Sequence, residues 1–289
     1  MNITSKKHGG LPRIAAIHDL SCFGRCALTV VVPTLSAMGF QVVPIPTALL
    51  STHTGGFENM YFEDLTDRID KIADHLDECG VTFDAIYTGF LASEEQVDVV
   101  LKFIDRFAGD GCLILVDPVM GDNGRLYSTY TKELANSMKR LCKRADIITP
   151  NLTEACILSG TEYESYKGRS KAETESFALE LCQRIAKQIP AQTVLTGLHY
   201  DNGYVANYVL GEERALVCGD TLFDADYPGT GDLFASVLLG HCLRGATLRE
   251  AAALATKFTR DTVGYSLKFE TPLREGVAFE ALLGELAKN

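Results

Sequence analysis

A chain of 289 residues with 46% hydrophobic residues has ample apolar material for a buried core and too much for a disordered segment. Its 38 acidic against 27 basic residues leave a net charge of −11, which argues against nucleic acid or an anionic membrane surface as the main partner. Nine cysteines without a CxxC pair fit small hydrophobes in a reducing cytoplasm better than a disulfide frame or a metal site.

Residues 1–11 are expected to be a flexible tail, with no signal-type apolar region in them. No run further on is long enough to span a bilayer. From residue 12, short apolar runs alternate with amphipathic stretches. The strand candidates are Arg13–Ile17, Gln41–Pro46, Asp84–Thr88, Cys112–Val116, Asp146–Thr149 and Thr193–Thr196. Helical patterns lie near 25–38, 63–79, 93–108, 130–143, 151–159 and 170–188. The strands are apolar along most of their length, as when both faces of a parallel sheet are covered. Beyond Thr196, Gly203–Val209 and Glu213–Val217 read as an antiparallel hairpin at one edge, followed by helices over 231–243 and 247–264. There is no repeat, low-complexity segment or linker to divide the chain. The expectation is a single α/β domain over 12–289, with a mostly parallel central sheet, helices on both faces and an antiparallel edge hairpin.

The chemistry-bearing residues collect where such a fold binds ligands, at the carboxyl ends of strands. One candidate strand runs into Asp117-Pro118-Val119-Met120-Gly121-Asp122, the next into Pro150-Asn151-Leu152-Thr153-Glu154, and a third ends at Thr196-Gly197. These oxygen-rich, mostly anionic residues suit magnesium held directly or through water, with substrate phosphates completing its shell. Asp117-Pro118 and Pro150-Asn151 also read as turn signals, with Asn151 capping a helix. Tyr227-Pro228-Gly229-Thr230-Gly231-Asp232 then opens an apolar helix. Glycines at a helix start let an anion approach unpaired backbone N–H groups, so Gly229, Thr230 and Gly231 read as a phosphate cradle. A carboxylate beside a phosphate repels it, unless Asp232 is the base that takes a proton from an attacking hydroxyl. A plain first-turn aspartate is the competing reading. Walker and protein-kinase patterns are absent.

Taken together, Gly229-Thr230-Gly231-Asp232, the segment Asp117–Asp122 and Pro150-Asn151-x-x-Glu154 resemble the ribokinase-like superfamily. Thr47 with Ser51-Thr52-His53-Thr54-Gly55, and Tyr87-Thr88-Gly89-Phe90-Leu91, are similar to its pyridoxal kinase branch, and the likeness runs from about residue 13 to 265. The resemblance implies ATP-dependent phosphorylation of the 5′-hydroxymethyl group of a vitamin B6 vitamer, with hydroxymethylpyrimidine as the rival substrate. A ligand-binding paralogue without catalysis is a further alternative. Asp232 would be the base and the amides of Gly229–Gly231 the anion hole. Asp117, Asp122, Asn151, Glu154 and Thr196 would serve the nucleotide phosphates, Asp117 and Glu154 by way of magnesium, and Tyr127 would lie along the nucleotide. Thr47 would face the pyridine ring, with His53 and Tyr87 nearby. The resemblance also implies a cytoplasmic homodimer activated by magnesium and often by potassium.

One position departs from that pattern. Ile17-His18-Asp19-Leu20-Ser21 puts Asp19 where the branch carries a substrate-binding serine. Asp19 either faces the substrate, favouring a cationic aminomethyl group, or starts the next helix; Ser21 is the hydroxyl that would replace the missing one. Of the histidines, His53 is preferred over His18 as a site residue. His75, His199 and His241 read as surface or core residues. The loops at 51–60 and 121–128 are candidate covers against water.

Overall fold

In the computed structural model, which describes residues 9–127, 130–163, 170–200, 204–212, 214–218 and 225–287, the first strand already explains the apolar pattern. In β1 (Arg13–Phe23), Ile14 and Ala16 point to one core while Ala15 and Ile17 point to the other. Alternation of side chains along a strand forces both sets to be apolar when both faces are covered. Residues of β4 (Ala85–Thr88) divide in the same way, Ile86 to one core and Ala85 and Tyr87 to the other.

The remaining strands are β2 (Gln41–Thr52), β3 (Phe62–Asp64), β5 (Leu113–Val116), β6 (Gly121–Asp122), β7 (Arg125–Leu126), β8 (Ile147–Ile148), β9 (Gln192–Tyr200), β10 (Tyr204–Leu210) and β11 (Arg214–Cys218). Among the described residues, nine of them form one sheet in the order β11-β10-β9-β8-β5-β4-β1-β2-β3, and β6 and β7 make a separate small hairpin. The centre is parallel, and β9, β10 and β11 run antiparallel at one edge, as expected from the sequence. The opposite edge is antiparallel too, through β2 and β3. The helical pattern expected from residue 63 therefore begins as strand, and its helix, α2 (Thr66–Glu78), starts after it.

One core lies beneath α2, α3 (Glu94–Phe107), α4 (Lys132–Cys142), α5 (Leu152–Ser159) and α6 (Lys171–Ala186). The other lies beneath α1 (Leu28–Ala37), α7 (Thr230–Leu243), α8 (Leu248–Lys268) and the short α9 (Leu283–Leu286). No helix of the described residues is long and apolar enough to cross a membrane. The expected tail at 1–11 lies outside the described residues through residue 8, and Gly203 and Glu213 of the expected hairpin lie outside them as well.

Two strands exceed expectation, and this shapes the site. β1 continues past Ile17 to Phe23, and β2 past Pro46 to Thr52. Their pairing slips between His18 and Leu20, where Pro46 and Leu49 are the successive partners. The extra residue on β2 makes a bulge opposite Asp19, a device that re-aims side chains and recurs beside active sites. Asp19 thus lies within a strand. The helix-start reading fails, because α1 begins only at Leu28.

Candidate active site

The chain leaves β1 towards β2 on one side and later returns to place β4 on the other. The carboxyl ends of β1 and β4 therefore flank a switch point, where open α/β sheets bind ligands. The starts of α1 and α7 converge on the same place. Ala27, which precedes α1, adopts φ 48°, sparsely populated for a residue with a Cβ. Its N–H donates to Asp232 Oδ2 at 2.8 Å. That bond leaves Oδ1 of Asp232 for another partner.

Gly229 precedes α7 with φ 82°, and a Cβ there would overlap the Arg25 carbonyl. Only glycine fits this approach. Thr230 donates its hydroxyl to the Tyr227 carbonyl at 3.0 Å, which ties the turn shut. Amides of the first helical turn have no partner within the helix, which leaves those of Thr230, Gly231 and Asp232 without one there, whereas the Leu233 N–H bonds the Gly229 carbonyl. A Cβ on Gly231 would stand 3.9 Å from Asp117 Oδ2, so the phosphate-cradle residues and the strand-end carboxylate meet.

Four carboxylates follow one another through this space. Burial pushes Asp232 up to about 7, with the Asp19 charge adding to it and the Ala27 bond opposing it. Asp19 is pushed up to about 6 by burial, against a hydrogen bond from Ser21. Ser21 is fully buried and donates to Asp19 Oδ2 at 3.0 Å, so its hydroxyl serves that carboxylate. Asp117 is raised by burial and by Asp232, beside the Thr149 hydroxyl. Glu154 is raised by burial and by Asp117. Buried like charges repel one another, and a proton or a cation relieves them.

Glu154 also has a structural task. Its Oε2 accepts from the Asn151 N–H at 2.8 Å and its Oε1 from the Met120 N–H at 3.0 Å. Asn151 returns the favour by accepting from the Glu154 N–H, a reciprocal cap at the start of α5, and donates to the Gly121 carbonyl. With both oxygens engaged by backbone, Glu154 fits a metal held through water. Among the described residues no three histidine, cysteine, aspartate or glutamate side chains gather as a ready metal site. The donor set fits a magnesium ion whose shell is mostly water and phosphate.

Nearby, the hairpin of β6 and β7 carries Asp122, whose two oxygens accept from the Asn123 backbone and side chain. Asp226 and His199 both lie close enough to act on Asp122 electrostatically, which the sequence reading of His199 missed. Tyr127 is 40% exposed, and burial followed by the Glu154, Asp122, Asp117 and Asp226 charges raises its hydroxyl. Thr196 pairs with Asn151 in an isolated parallel bridge and donates its N–H to the Pro150 carbonyl at 2.9 Å. These residues lie near one another. Residue 128 of one expected cover loop lies outside the described residues.

The substrate-side expectations fare differently. Thr47 is fully buried at the β2 bulge and donates to the Phe90 carbonyl at 3.2 Å. Tyr87 is fully buried beside Ser236 and packs edge-on against His18, with ring centroids 4.3 Å apart. It lies beneath the site and does not line it. His53 is a pin for its loop: Nε2 bonds the Arg274 carbonyl at 2.7 Å while Nδ1 accepts from the Gly55 N–H at 3.0 Å. His18, passed over in favour of His53, stands 3.9 Å from Asp232 Oδ1. The only sequence signal for it was adjacency to Asp19. A surface groove of about 580 Å³, lined in part by Arg184, Lys187 and Arg214, lies at α6 and β11, on other elements than these carboxylates.

A family model described as phosphomethylpyrimidine kinase matches residues 14–274. The chain belongs to that family. It falls in the pyridoxal kinase branch of the ribokinase-like superfamily. It is 27% identical over 258 residues to a pyridoxal kinase of Rubrobacter xylanophilus, covering 85% of this chain and 84% of the relative. It is 24% identical over 235 residues to a hydroxymethylpyrimidine/phosphomethylpyrimidine kinase of Bacillus subtilis, covering 81% of each. Among solved structures, a candidate phosphomethylpyrimidine kinase of Bacteroides thetaiotaomicron, crystallised with pyridoxal, is 39% identical. It covers 96% of each chain with a TM-score of 0.88.

Proposed function

We propose that this chain transfers the γ-phosphoryl group of ATP to the 5′-hydroxymethyl group of a vitamin B6 vitamer. The observation that carries this reading is Asp232, fixed by one oxygen to the Ala27 amide and poised near 7 at the start of α7. A base with that affinity is matched to neutral pH. The hydroxymethyl oxygen forms its bond to the γ-phosphorus as the bond to the β,γ-bridging oxygen breaks. ADP departs with that electron pair, and the hydroxyl proton passes to Asp232 Oδ1. The α7 amides from Gly229 to Gly231 hold the transferring group, and positioning supplies most of the acceleration.

Asp117, Asp122, Asn151, Thr196 and Tyr127 serve the nucleotide in this reading. Magnesium, with potassium as a further cation, would neutralise phosphate charge, Asp117 and Glu154 holding magnesium through its water shell. Thr47 shapes the floor under the pyridine ring, and Asp19 reaches its substituents. The loop at 51–60, pinned by His53, covers the site from water. Exposed Leu20, Phe23, Tyr61 and Phe62, gathered where β1 and β3 end and begin, support pairing of two copies. Free cysteines such as Cys22, Cys79, Cys142 and Cys182 support a cytoplasmic setting.

The Bacillus subtilis relative and the family's description favour a second reading, a hydroxymethylpyrimidine kinase with the same phosphate side. Purified protein with ATP, magnesium and a panel of pyridoxal, pyridoxamine, pyridoxine and hydroxymethylpyrimidine separates the two. Phosphorylated vitamers by mass spectrometry support the first. Turnover of the pyrimidine alone selects the second, and turnover of none leaves a binding protein.

A further inference from the structure

We infer that His18 is a positioning residue for the catalytic base: its neutral imidazole turns Nδ1–H towards Asp232 Oδ1 and holds that oxygen ionised and aimed at the incoming hydroxyl. The inference rests on the kinase reading above.

His18 is fully buried, and neither ring nitrogen has a hydrogen-bond partner among the described residues. Buried polar atoms are rarely left so, because each costs its lost hydration. A phenylalanine would pack against Tyr87 equally well and carry no such penalty. The fold also makes room for this ring. A Cβ on Gly89 would overlap His18 Nδ1, so the residue after β4 must be glycine for the imidazole to sit there.

The surroundings settle which nitrogen bears the proton. Burial lowers His18 to about 3, so it is neutral at physiological pH and carries one N–H. Nδ1 stands 3.9 Å from a carboxylate oxygen. A lone pair aimed at that oxygen would be repelled, whereas an N–H is attracted. Closing from 3.9 Å to about 2.9 Å completes a charge-assisted hydrogen bond. Expulsion of water on substrate binding strengthens that attraction. Oδ1 keeps a second lone pair for the substrate proton, and Oδ2 stays with the Ala27 amide. The other groups facing Asp232 work against its ionisation or leave it unaided. Asp19 from β1 and Asp117 after β5 are carboxylates, and the Cys26 thiol and the Tyr87 phenol are held protonated by burial. On the Oδ2 side the Ala27 amide offsets them, and on the Oδ1 side His18 is a donor placed to do the same.

The test compares wild type with His18→Phe, which keeps a ring and loses both nitrogens, and His18→Asn, whose amide N–H falls near Nδ1. For His18→Phe the expectation is a fall in kcat of about 10- to 100-fold, with KM for ATP unchanged. The acid limb of its kcat profile should rise by about half to one pH unit as Asp232 loses a donor. His18→Asn should restore much of both. Unchanged kcat and limb in His18→Phe, or equal losses in both variants with an unmoved limb, would overturn the inference. Long-range proton–nitrogen spectra of histidine-labelled wild type, with His18→Asn assigning the signal among six histidines, read the tautomer without any turnover. A proton on Nδ1 that persists from pH 5 to 8 is expected, and one on Nε2, or an imidazolium in that range, overturns the inference. If wild type phosphorylates nothing, the kinase reading fails while this spectrum still judges His18.

Discussion

The Ala27 N–H and the Asp232 carboxylate, 205 residues apart, meet at 2.8 Å and lock the start of α1 to the start of α7. The bond fixes the carboxylate and joins two helices that share one core. It also explains why Ala27 tolerates φ 48°, since only that turn presents its amide to the carboxylate.

Asp232→Asn keeps an acceptor for Ala27 and loses the base. Turnover should fall by about 10²–10⁴-fold while nucleotide binding is retained. In wild type, kcat should decline as pH drops through about 7, because the base must be ionised to act. Wild-type turnover in the variant, or a kcat flat from pH 5 to 8, would remove Asp232 from the proton transfer.

The same raised carboxylates set the stability of the protein without ligands. Native Asp232 at about 7 and Asp19 at about 6 hold protons that an unfolded chain, near 3.8, releases. The native state therefore binds more protons between about pH 4 and 7, and stability falls as pH rises through that window. Asp19→Asn should raise Tm at pH 7.5 by at least about 2 °C and change little at pH 4.5. A lower Tm at pH 7.5 than wild type would mean that the Asp19 carboxylate is compensated there by a cation.

Residues at the ends of elements were readable in the sequence, and residues that depend on other strands were not. Asp117, Asn151 and Asp232 each stand beside a proline or glycine that ends one element and starts another, so local chemistry exposes them. The run Asp19-Leu20-Ser21-Cys22 carries too many polar residues to read as strand, and β1 reaches through it because β2 extends alongside. His18 depends on Gly89 and Tyr87 from β4 and its following turn, contacts that no local pattern encodes. The Asn151 half of the engagement of Glu154 follows from Asn-x-x-Glu spacing, a capping signature, whereas the Met120 half comes from a segment 34 residues away that no local pattern reveals.

That engagement makes Glu154→Gln a compound change. The amide keeps one acceptor but turns its NH₂ towards either the Asn151 or the Met120 N–H, at a cost of about 1–3 kcal/mol for the unpaired donor. Tm should fall, and the magnesium concentration for half-maximal turnover should rise through loss of an anionic oxygen near the metal's water. A lower Tm with an unchanged magnesium titration would leave Glu154 as a cap alone.

Gly229→Ala tests the cradle by geometry. The added Cβ would meet the Arg25 carbonyl, and φ 82° disfavours any residue with a side chain. The α7 start must then retreat from the segment before α1, taking Asp232 from Ala27. Loss of turnover should exceed the loss of stability, seen as a kcat reduced about 100-fold or more in protein that still melts cooperatively. Near-normal kcat would show that the turn relaxes without moving the base.

Asp19→Ser asks what the carboxylate in β1 recognises. Asp19 accepts from Ser21 and stands within electrostatic reach of Asp232. Held at about 6, it is ionised at neutral pH and there attracts a cationic aminomethyl group more than an aldehyde or an alcohol. A hydrogen bond to a charged group contributes about 1.5–3 kcal/mol, or roughly ten- to a hundred-fold in relative specificity. The ratio of kcat/KM for pyridoxamine over pyridoxal should fall by that factor in Asp19→Ser, with ATP kinetics unmoved. In wild type the ratio should itself fall as pH drops through about 6, because protonation of Asp19 removes the charge. A ratio indifferent to both the substitution and the pH would confine Asp19 to tuning its neighbour Asp232.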